Sequence, residues 1–568
     1  MTHTSIWIRV IAFVLLCSFT ISAQEPSWER LVNSDKEPQN WLNYGGNQAS
    51  HRFSSLDQIN KTNVKQLQTA WMFQTGELRG GLNATPMVVD GVMYLMGPMN
   101  RVFALDATNG QILWKYFYKI SVQGIPYQRG SRGLAVAYGK VYFGTLDNHF
   151  VALDAKTGKE LWDIEIQDTK QCGCNVTSPP VVVKDKVIVG GTGGEHAHRG
   201  HLNAFDAKTG KHLWRFYTIP GPGEPGFETW GEKMWKYGGG PAWLVGSYDA
   251  ETNLLYWGIG NPSSDFYGEL RPGANLYTNC IIALNPDTGK MQWFYQEVPH
   301  DMYDFDSAYE CVLIDHEVNG QKQKLLVHAN KGGYTWVLDR VTGKYLNAYP
   351  HVDNLTWLQG VDKDGKPIKM QPVPPDQKTY VCPSAAGGRN WEASSYSPRT
   401  KLWYNMGWEV CNIIAPQKLD IVEGQPLFGG SMEFVAPKDA KATGHIDAYD
   451  PLTGKRSWRF MTKYMNVCSL LSTGSDLLFS GDVLGEAFAL DAKTGEKLWA
   501  FNTGASLTGS PITYSVNGKQ YVAMPTGMGS LVGGLTEIVW PEMAGKLPEA
   551  ASTLVVFALP DGVAKGAK

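Results

Sequence analysis

A short motif returns along most of this 568-residue chain. An apolar pair is followed by Asp or Asn, two variable residues, Thr or Asn, then Gly, with Trp four residues past the Gly. It reads Ala104-Leu105-Asp106-Ala107-Thr108-Asn109-Gly110 to Trp114 and Ala152-Leu153-Asp154-Ala155-Lys156-Thr157-Gly158 to Trp162. Further copies end at Trp214, Trp293, Trp458 and Trp499. A copy at Val337-Leu338-Asp339-Arg340-Val341-Thr342-Gly343 has Asn347 where the Trp belongs, and Trp71 ends an N-terminal copy that lacks its first half. Each copy has a local physical reading. The apolar residues before the Asp predict a half-buried strand. The Asp side chain caps backbone amides in a tight turn, and the Gly supplies a positive φ. The residues around the Trp begin another strand. A hairpin signal precedes the copies, as in Pro86 to Tyr94, Pro180 to Val189 and Pro511 to Val522. Each unit is therefore expected to be a four-stranded antiparallel sheet with a Trp at a fixed place.

Successive Trp residues lie 43 (Trp71–Trp114), 48, 52, 79, 165 (Trp293–Trp458) and 41 residues apart. Four-stranded sheets repeated every ~40–55 residues fit a β-propeller. The 79-residue interval contains an insertion around 220–236. The 165-residue interval has room for three units without the Trp, one at Gly343 and another centred on Ser397-Pro398-Arg399-Thr400 before Trp403. The expected fold is all-β, an eight-bladed β-propeller, with seven blades as the alternative count. A solenoid fits less well, because a half-unit at the N-terminus suggests ring closure. Composition agrees: 62 glycines, 20 tryptophans, 12% aromatic and 18% charged residues exclude disorder, coiled coil and helical bundle. Lys and Arg number 51 against 54 Asp and Glu, so there is no basic footprint for nucleic acid.

Residues 1–23 carry Arg9, an apolar run from Val10 to Ile21 and Ser22-Ala23, the pattern of a cleaved secretory signal peptide. A membrane anchor is the alternative, but the run is short for a span of ~20 residues. Residues 24–568 then form one exported propeller domain with no stable membrane insertion. Beyond Cys17, seven cysteines remain: Cys172, Cys174, Cys280, Cys311, Cys382, Cys411 and Cys468. In an oxidising compartment these are disulfide candidates, and an odd number leaves at least one unpaired. Cys172-Gly-Cys174 reads as structural thiols or a local disulfide. No C-x-x-C-H is present, so the sequence carries no c-type haem site.

The repeated turn-plus-Trp resembles the tryptophan-docking motif of pyrroloquinoline quinone (PQQ) dependent alcohol dehydrogenases, over residues 38–560. That resemblance implies a periplasmic eight-bladed propeller holding PQQ and a metal ion. Non-enzymatic outer-membrane assembly scaffolds carry similar repeats, so function is read from the residues outside the repeat. The segment Pro299-His300-Asp301-Met302-Tyr303-Asp304-Phe305-Asp306 holds three carboxylates in six residues. Asp304 and Asp306 alternate, so they share a side if the segment is extended. Read alone, such a cluster is a solvated loop. The resemblance makes Asp304 the base that takes the alcohol's hydroxyl proton and also a metal ligand. It makes Asp306 the additional carboxylate of lanthanide-dependent members, at a place that is small or neutral in calcium-dependent ones. A trivalent ion needs more anionic oxygen than Ca²⁺, so a lanthanide is expected, with Ca²⁺ as the alternative.

Gly193-Gly194-Glu195-His196 and Gly258-Ile259-Gly260-Asn261-Pro262 resemble the family's other metal-ligand segments, giving Glu195 and Asn261. His196, His198 and His300 raise zinc as an alternative, without a complete ligand pattern. For the cofactor, Gly238-Gly239-Gly240-Pro241-Ala242-Trp243 allows close approach and a stacking face. The resemblance adds Arg132 for a PQQ carboxylate, Lys331 near the quinone oxygens, and Thr177, Thr192 and Asn390 as polar contacts. It pairs Cys382 with Cys411. Two places depart from the family: adjacent cysteines are replaced at Pro126-Tyr127, and Asn83 stands where a Glu is usual in the cofactor-binding set.

The implied activity is periplasmic oxidation of an alcohol, or alternatively an aldehyde, by metal-assisted hydride transfer to PQQ. Lys331 stabilises oxygen charge, and electrons pass to a separate cytochrome c or similar acceptor. Two rivals are a non-catalytic scaffold that binds proteins or sugars, and a hydrolase or lyase that uses the acidic cluster without PQQ.

Overall fold

The computed structural model describes residues 25–121, 130–318, 320–437, 443–548 and 550–563; the signal-peptide reading and Pro126-Tyr127 lie outside them. Among the described residues, eight sheets contain four consecutive antiparallel strands. Sheet 1 comprises Met87–Val89, Val92–Gly97, Arg101–Asp106 and Ile112–Phe117. Sheets 2 to 5 follow with the same order, beginning at Ala135–Ala137, Val181–Val183, Ser247–Asp249 and Val312–Val318. Sheet 6 is Ser395–Ser397, Leu402–Trp408, Gly444–Tyr449 and Arg456–Thr462. Sheet 7 runs from Leu471–Thr473 to Lys497–Asn502, with Phe53–Ser54 added as a parallel edge strand. Sheet 8 joins the two ends of the chain: Gln68–Gln74 pairs antiparallel with Thr553–Ala558, beside Lys519–Thr526 and Ile512–Val516. No helix among the described residues is long and apolar enough to cross a membrane.

The repeat motif is the turn between strands three and four. In sheet 2, Asp154 Oδ1 accepts from the amides of Lys156 (3.1 Å) and Thr157 (2.8 Å) and from Thr157 Oγ1 (2.7 Å). Gly158 closes the turn at φ +70°. A second constraint comes from the neighbouring sheet. A β-carbon on Gly158 would stand 2.5 Å from Trp114 Cε3, and the Trp114 indole donates to Ala155 O at 2.9 Å. The same ring-on-glycine contact joins Trp71 to Gly110, Trp162 to Gly210, Trp214 to Gly289, Trp293 to Gly343 and Trp458 to Gly495. Sheet 5, whose motif lacks the Trp, divides the task between two residues. Asn347 Nδ2 donates to Leu452 O at 2.9 Å, and the Tyr349 ring covers Gly454. Each indole buries on the order of 200 Å² of mostly apolar surface, so each junction is stabilised by a few kcal/mol.

Two sequence expectations are corrected. The third strands are not half-buried: Val102, Phe103, Ala104 and Leu105 are all buried, because a sheet lies against each face. The alternation belongs to the fourth strand, where Trp114 is buried between the exposed Leu113 and Lys115. The 165-residue interval does not hold three extra units. It contains sheet 5 and the start of sheet 6, whose own last strand carries Trp458. The turn at Ser397 to Lys401 is the first hairpin of that same sheet. The surplus length forms inserted strands, Gly360–Val361 with Pro367–Ile368, and Thr379–Val381 with Cys411–Pro416 and Gly430–Val435.

The glycine of the turn answers two demands, and substitution separates them. Gly504, which follows the last strand of sheet 7 and lies outside the repeat turns, has φ +75° with nothing within 4 Å of a built β-carbon, so Gly504→Ala is expected to cost about 1 kcal/mol from backbone strain alone. Gly158→Ala adds the clash with Trp114, for about 2–4 kcal/mol in total. Urea unfolding midpoints measure both. Equal losses would show that the indole contact contributes nothing.

Candidate functional site

In a four-stranded antiparallel meander, alternate connections lie at the same end. The connection between strands two and three, and the one leaving strand four, therefore share an end opposite the repeat turns. Almost every residue singled out for chemistry falls in these two connections. Thr192 and Glu195 follow strand two of sheet 3, Asn261 strand two of sheet 4 and Lys331 strand two of sheet 5. Arg132, Thr177, Trp243, Asp304, Asp306 and Asn390 lie in the connections between sheets.

These loops enclose a cavity of about 730 Å³. Arg132, Thr177, Thr192, Glu195, Trp243, Asp304, Asp306, Lys331 and Asn390 all line it. Asn261 and Asn83 stand one layer behind. The Asn83 amide is committed to protein: it donates to Gly529 O at 3.0 Å and accepts from Thr508 Oγ1 at 3.0 Å. The far end of the cavity is apolar, with Ala385, Ala386, Met432, Phe434, Met528, Val532 and Leu535. Val532 and Leu535 belong to the helix Leu531–Val539 inserted in sheet 8, and Met432 and Phe434 to the inserted strand Gly430–Val435.

One wall carries an ammonium between two carboxylates. Lys331 Nζ lies 2.9 Å from Asp304 Oδ1 and 2.8 Å from Asp306 Oδ2. The other Asp306 oxygen accepts from Trp243 Nε1 and from the Asn261 backbone N–H, both at 3.1 Å. Burial favours a neutral amine at Lys331, but Asp304 and Asp306 overcome it and hold the group above the usual lysine value. Asp304 is pushed well above the usual carboxylate range by burial, reinforced by Asp306 and Glu195, while Lys331 pulls it back. The adjoining lining is aromatic and cationic. The Arg132 guanidinium lies 4.5 Å from the Trp243 ring centre and 5.1 Å from that of Trp391, and Nη1 donates to Thr177 Oγ1 at 2.6 Å. Burial lowers Arg132 to about 10, still a cation at neutral pH. Thr192 is held by Asn175, whose Oδ1 accepts from Thr192 Oγ1 at 2.8 Å.

Both disulfides brace connections that carry this site. Cys172–Cys174 closes just before Asn175 and Thr177, and Cys382–Cys411 ties the approach to Ala385 to the start of the inserted hairpin. Cys280, Cys311 and Cys468 are free and buried. His196, His198 and His300 form no group able to hold zinc. More widely, no three acidic, imidazole or thiol side chains among the described residues already converge on one point. The oxygens of Asp304 and Asp306 against Lys331 are hard donors, of the kind that could hold Ca²⁺ or a lanthanide rather than zinc. Asn261 Oδ1 is buried with no hydrogen-bond partner, which fits an oxygen meant for a cation.

Two carboxylates escaped the sequence reading. Asp265 is buried and accepts from Asn261 Nδ2 at 3.1 Å, and burial with Asp304 and Glu195 raises it well above the usual range. Glu392 is buried behind Asn390 and accepts from Ser530 Oγ at 3.3 Å. A lone Asp after Pro-Ser-Ser, or a lone Glu after Trp, has no pattern to set it apart from a surface residue.

Residues 41–351 and 461–522 match the family model of the PQQ glucose/ethanol/alcohol dehydrogenase β-propeller domain. The quinoprotein alcohol dehydrogenase PedH of Pseudomonas putida is 36% identical over 531 residues, 89% of each chain. The lanthanide-dependent methanol dehydrogenase of Methylorubrum extorquens is 37% identical over 531 residues, 86% of this chain and 88% of the relative. Among solved structures, a europium-containing methanol dehydrogenase superposes with TM-score 0.88 at 34% identity, covering 94% of this chain and 100% of that one.

Glu392 makes stability pH-dependent in a direction that can be checked. Burial raises its carboxyl from 4.5 to about 8. Its contribution is full below the unfolded value and is lost as pH rises through the folded one, because the buried group must then lose its proton. Glu392→Gln, which stays neutral, is expected to melt close to wild type at about pH 5 and above it at about pH 9. Melting curves at the two pH values check this, and a gain at the acidic end instead would refute it.

Proposed function

The chain belongs to the PQQ-dependent glucose/ethanol/alcohol dehydrogenase β-propeller family, and on that premise we propose that it is a periplasmic quinoprotein that oxidises an alcohol. The observation that carries this reading is the Lys331 ammonium held against Asp304 and Asp306 in a cavity that Trp243 and Arg132 also line. When bound, PQQ supplies the electron-pair acceptor, and a hard cation supplies Lewis-acid polarisation.

The residues divide that work. Trp243 offers a flat face to the planar cofactor, and Arg132 with Thr177 offers a cation and a hydroxyl to its carboxylates. Thr192 and Asn390 add polar edges. Glu195, Asn261, Asp304 and Asp306 are the oxygen donors for the metal. Three are carboxylates, which favours a lanthanide(III), with Ca²⁺ as the alternative. Asp304 accepts the hydroxyl proton of the alcohol at a carboxylate oxygen. Lys331 opposes the effect of burial on that carboxyl and steadies negative charge developing on oxygen. The apolar end, with Met432, Phe434, Met528 and Leu535, excludes water and receives the hydrocarbon part of the substrate.

The eight four-stranded sheets, linked by their ring-on-glycine contacts, support an eight-bladed ring closed by the pairing of Gln68–Gln74 with Thr553–Ala558. Two disulfides and the signal-like residues 1–23 support export to the periplasm. With no C-x-x-C-H haem site in the sequence, a separate cytochrome c or similar protein would serve as the electron acceptor.

Dye-linked oxidation of an alcohol panel, with PQQ and La³⁺, PQQ and Ca²⁺, or PQQ alone, tests the reading. Turnover is expected with La³⁺ and is lost in Asp306→Ala. Asp304→Asn is expected to lower kcat by about 10²–10⁴-fold, the usual weight of a general base. Turnover with Ca²⁺ alone would overturn the metal choice. A protein that retains no quinone absorbance with any metal would overturn the enzyme.

A further inference from the structure

The two ends of the Asn261 amide meet different surroundings. Nδ2 donates to Asp265 Oδ1 at 3.1 Å. A carboxylate only accepts, so the NH₂ end of the amide is the end at Asp265 and the carbonyl points away from it. That carbonyl oxygen lies against Gly194, where a β-carbon would stand 2.2 Å from it, beside Glu195 and the cavity. Asn261 is 0% exposed, and its Oδ1 has no hydrogen-bond partner. Asp265 is 1% exposed, and its second oxygen, Oδ2, has none either. The nearest guanidinium is spent elsewhere: the Arg271 N–H groups go to backbone oxygens of Ser264, Asp265 and Asp301 and to Asn275 Oδ1.

We propose that Asp265 is a positioning and selectivity residue, which aims the Asn261 carbonyl at the cation and supplies a further negative charge that favours a trivalent ion over a divalent one. The inference rests on the metal reading above and deepens it. Asp304 and Asp306 meet the one ammonium of Lys331, and Glu195 and Asp265 lie within electrostatic reach of them. Each anionic oxygen group attracts a trivalent ion more strongly than a divalent one, because the attraction scales with the charge of the ion. Replacing Asp265 by a neutral residue therefore shifts the preference towards the divalent ion. Asp265 itself touches neither substrate nor cofactor. Its effect passes through the Asn261 amide and through the field of the site.

Binding of Tb³⁺ and Ca²⁺ to the PQQ-loaded full chain tests this without turnover, with Tb³⁺ followed by tryptophan-sensitised luminescence and Ca²⁺ by competition. Asp265→Ala, which removes both anchor and charge, is expected to weaken Tb³⁺ binding by about 10–100-fold. Asp265→Asn keeps an acceptor for Asn261 Nδ2 and loses only the charge, so it should weaken Tb³⁺ more than Ca²⁺. In EDTA, Asp265→Asn should melt at or above the wild-type temperature, since one of several mutually repelling buried carboxylates is gone. Equal loss for both ions, or a lower melting temperature in EDTA, would make Asp265 a structural residue and overturn the proposal. So would Tb³⁺ affinities within about twofold of wild type in both variants, with Asp306→Ala abolishing binding. A wild-type chain that binds no Tb³⁺ would overturn the metal reading itself and this inference with it, a result distinguishable from the others.

Discussion

An indole laid on a glycine is the contact on which the rest of this structure depends. The glycine must be there twice over: its backbone sits at positive φ, and the ring of the preceding sheet occupies the space of a β-carbon. Each sheet is too small to bury its own faces, so it is stable only against a neighbour on each side. At Trp114, Trp214 and Trp458 the indole N–H also donates to a carbonyl of the next turn, which helps to fix how far and at what angle that neighbour sits. Where the motif loses its Trp, Asn347 supplies the donor and Tyr349 the ring, so geometry is kept although the residue is not.

Stacking the sheets this way has a consequence for chemistry. The rigid repeat turns occupy one end of seven of the eight sheets, which leaves the other end to loops whose sequence the stacking does not constrain. Those loops bring charges together that would repel in isolation. Asp304 and Asp306 are buried side by side because Lys331 lies between them, and Arg132 is buried because two indoles and a hydroxyl receive it. The scaffold tolerates this because stability is supplied elsewhere, at the ring-on-glycine junctions between sheets and at two disulfides that brace the loops. Site and scaffold are separated along the chain, so insertions such as the helix Leu531–Val539 change the cavity wall without disturbing the stack.

Legibility in the sequence followed from whether a residue belonged to a pattern. The turn motif was readable because one local geometry, repeated, demands Asp, Thr and Gly at fixed offsets. Glu195, Asn261, Asp304 and Lys331 were readable only beside a family resemblance, since each alone is an ordinary turn residue. The burial of the third strands was misjudged for a related reason: a period of two reports one covered face, and a strand covered on both faces has no such period. The overcount of units between Trp293 and Trp458 came from treating length as architecture, when much of that length is inserted hairpin.

The sequence alone determined the all-β repeat and the place of each turn, because these depend on residues close in sequence and repeated in phase. It also determined the chemical types present at the loops. Tertiary structure decided which of those loops meet. That Asp265 stands behind Asn261, that Glu392 lies under Ser530, and that Asn83 is turned into the protein depend on the packing of sheets far apart in the chain. A buried carboxylate and an exposed one are the same letter in sequence; only the neighbours brought by folding give them different charges to balance.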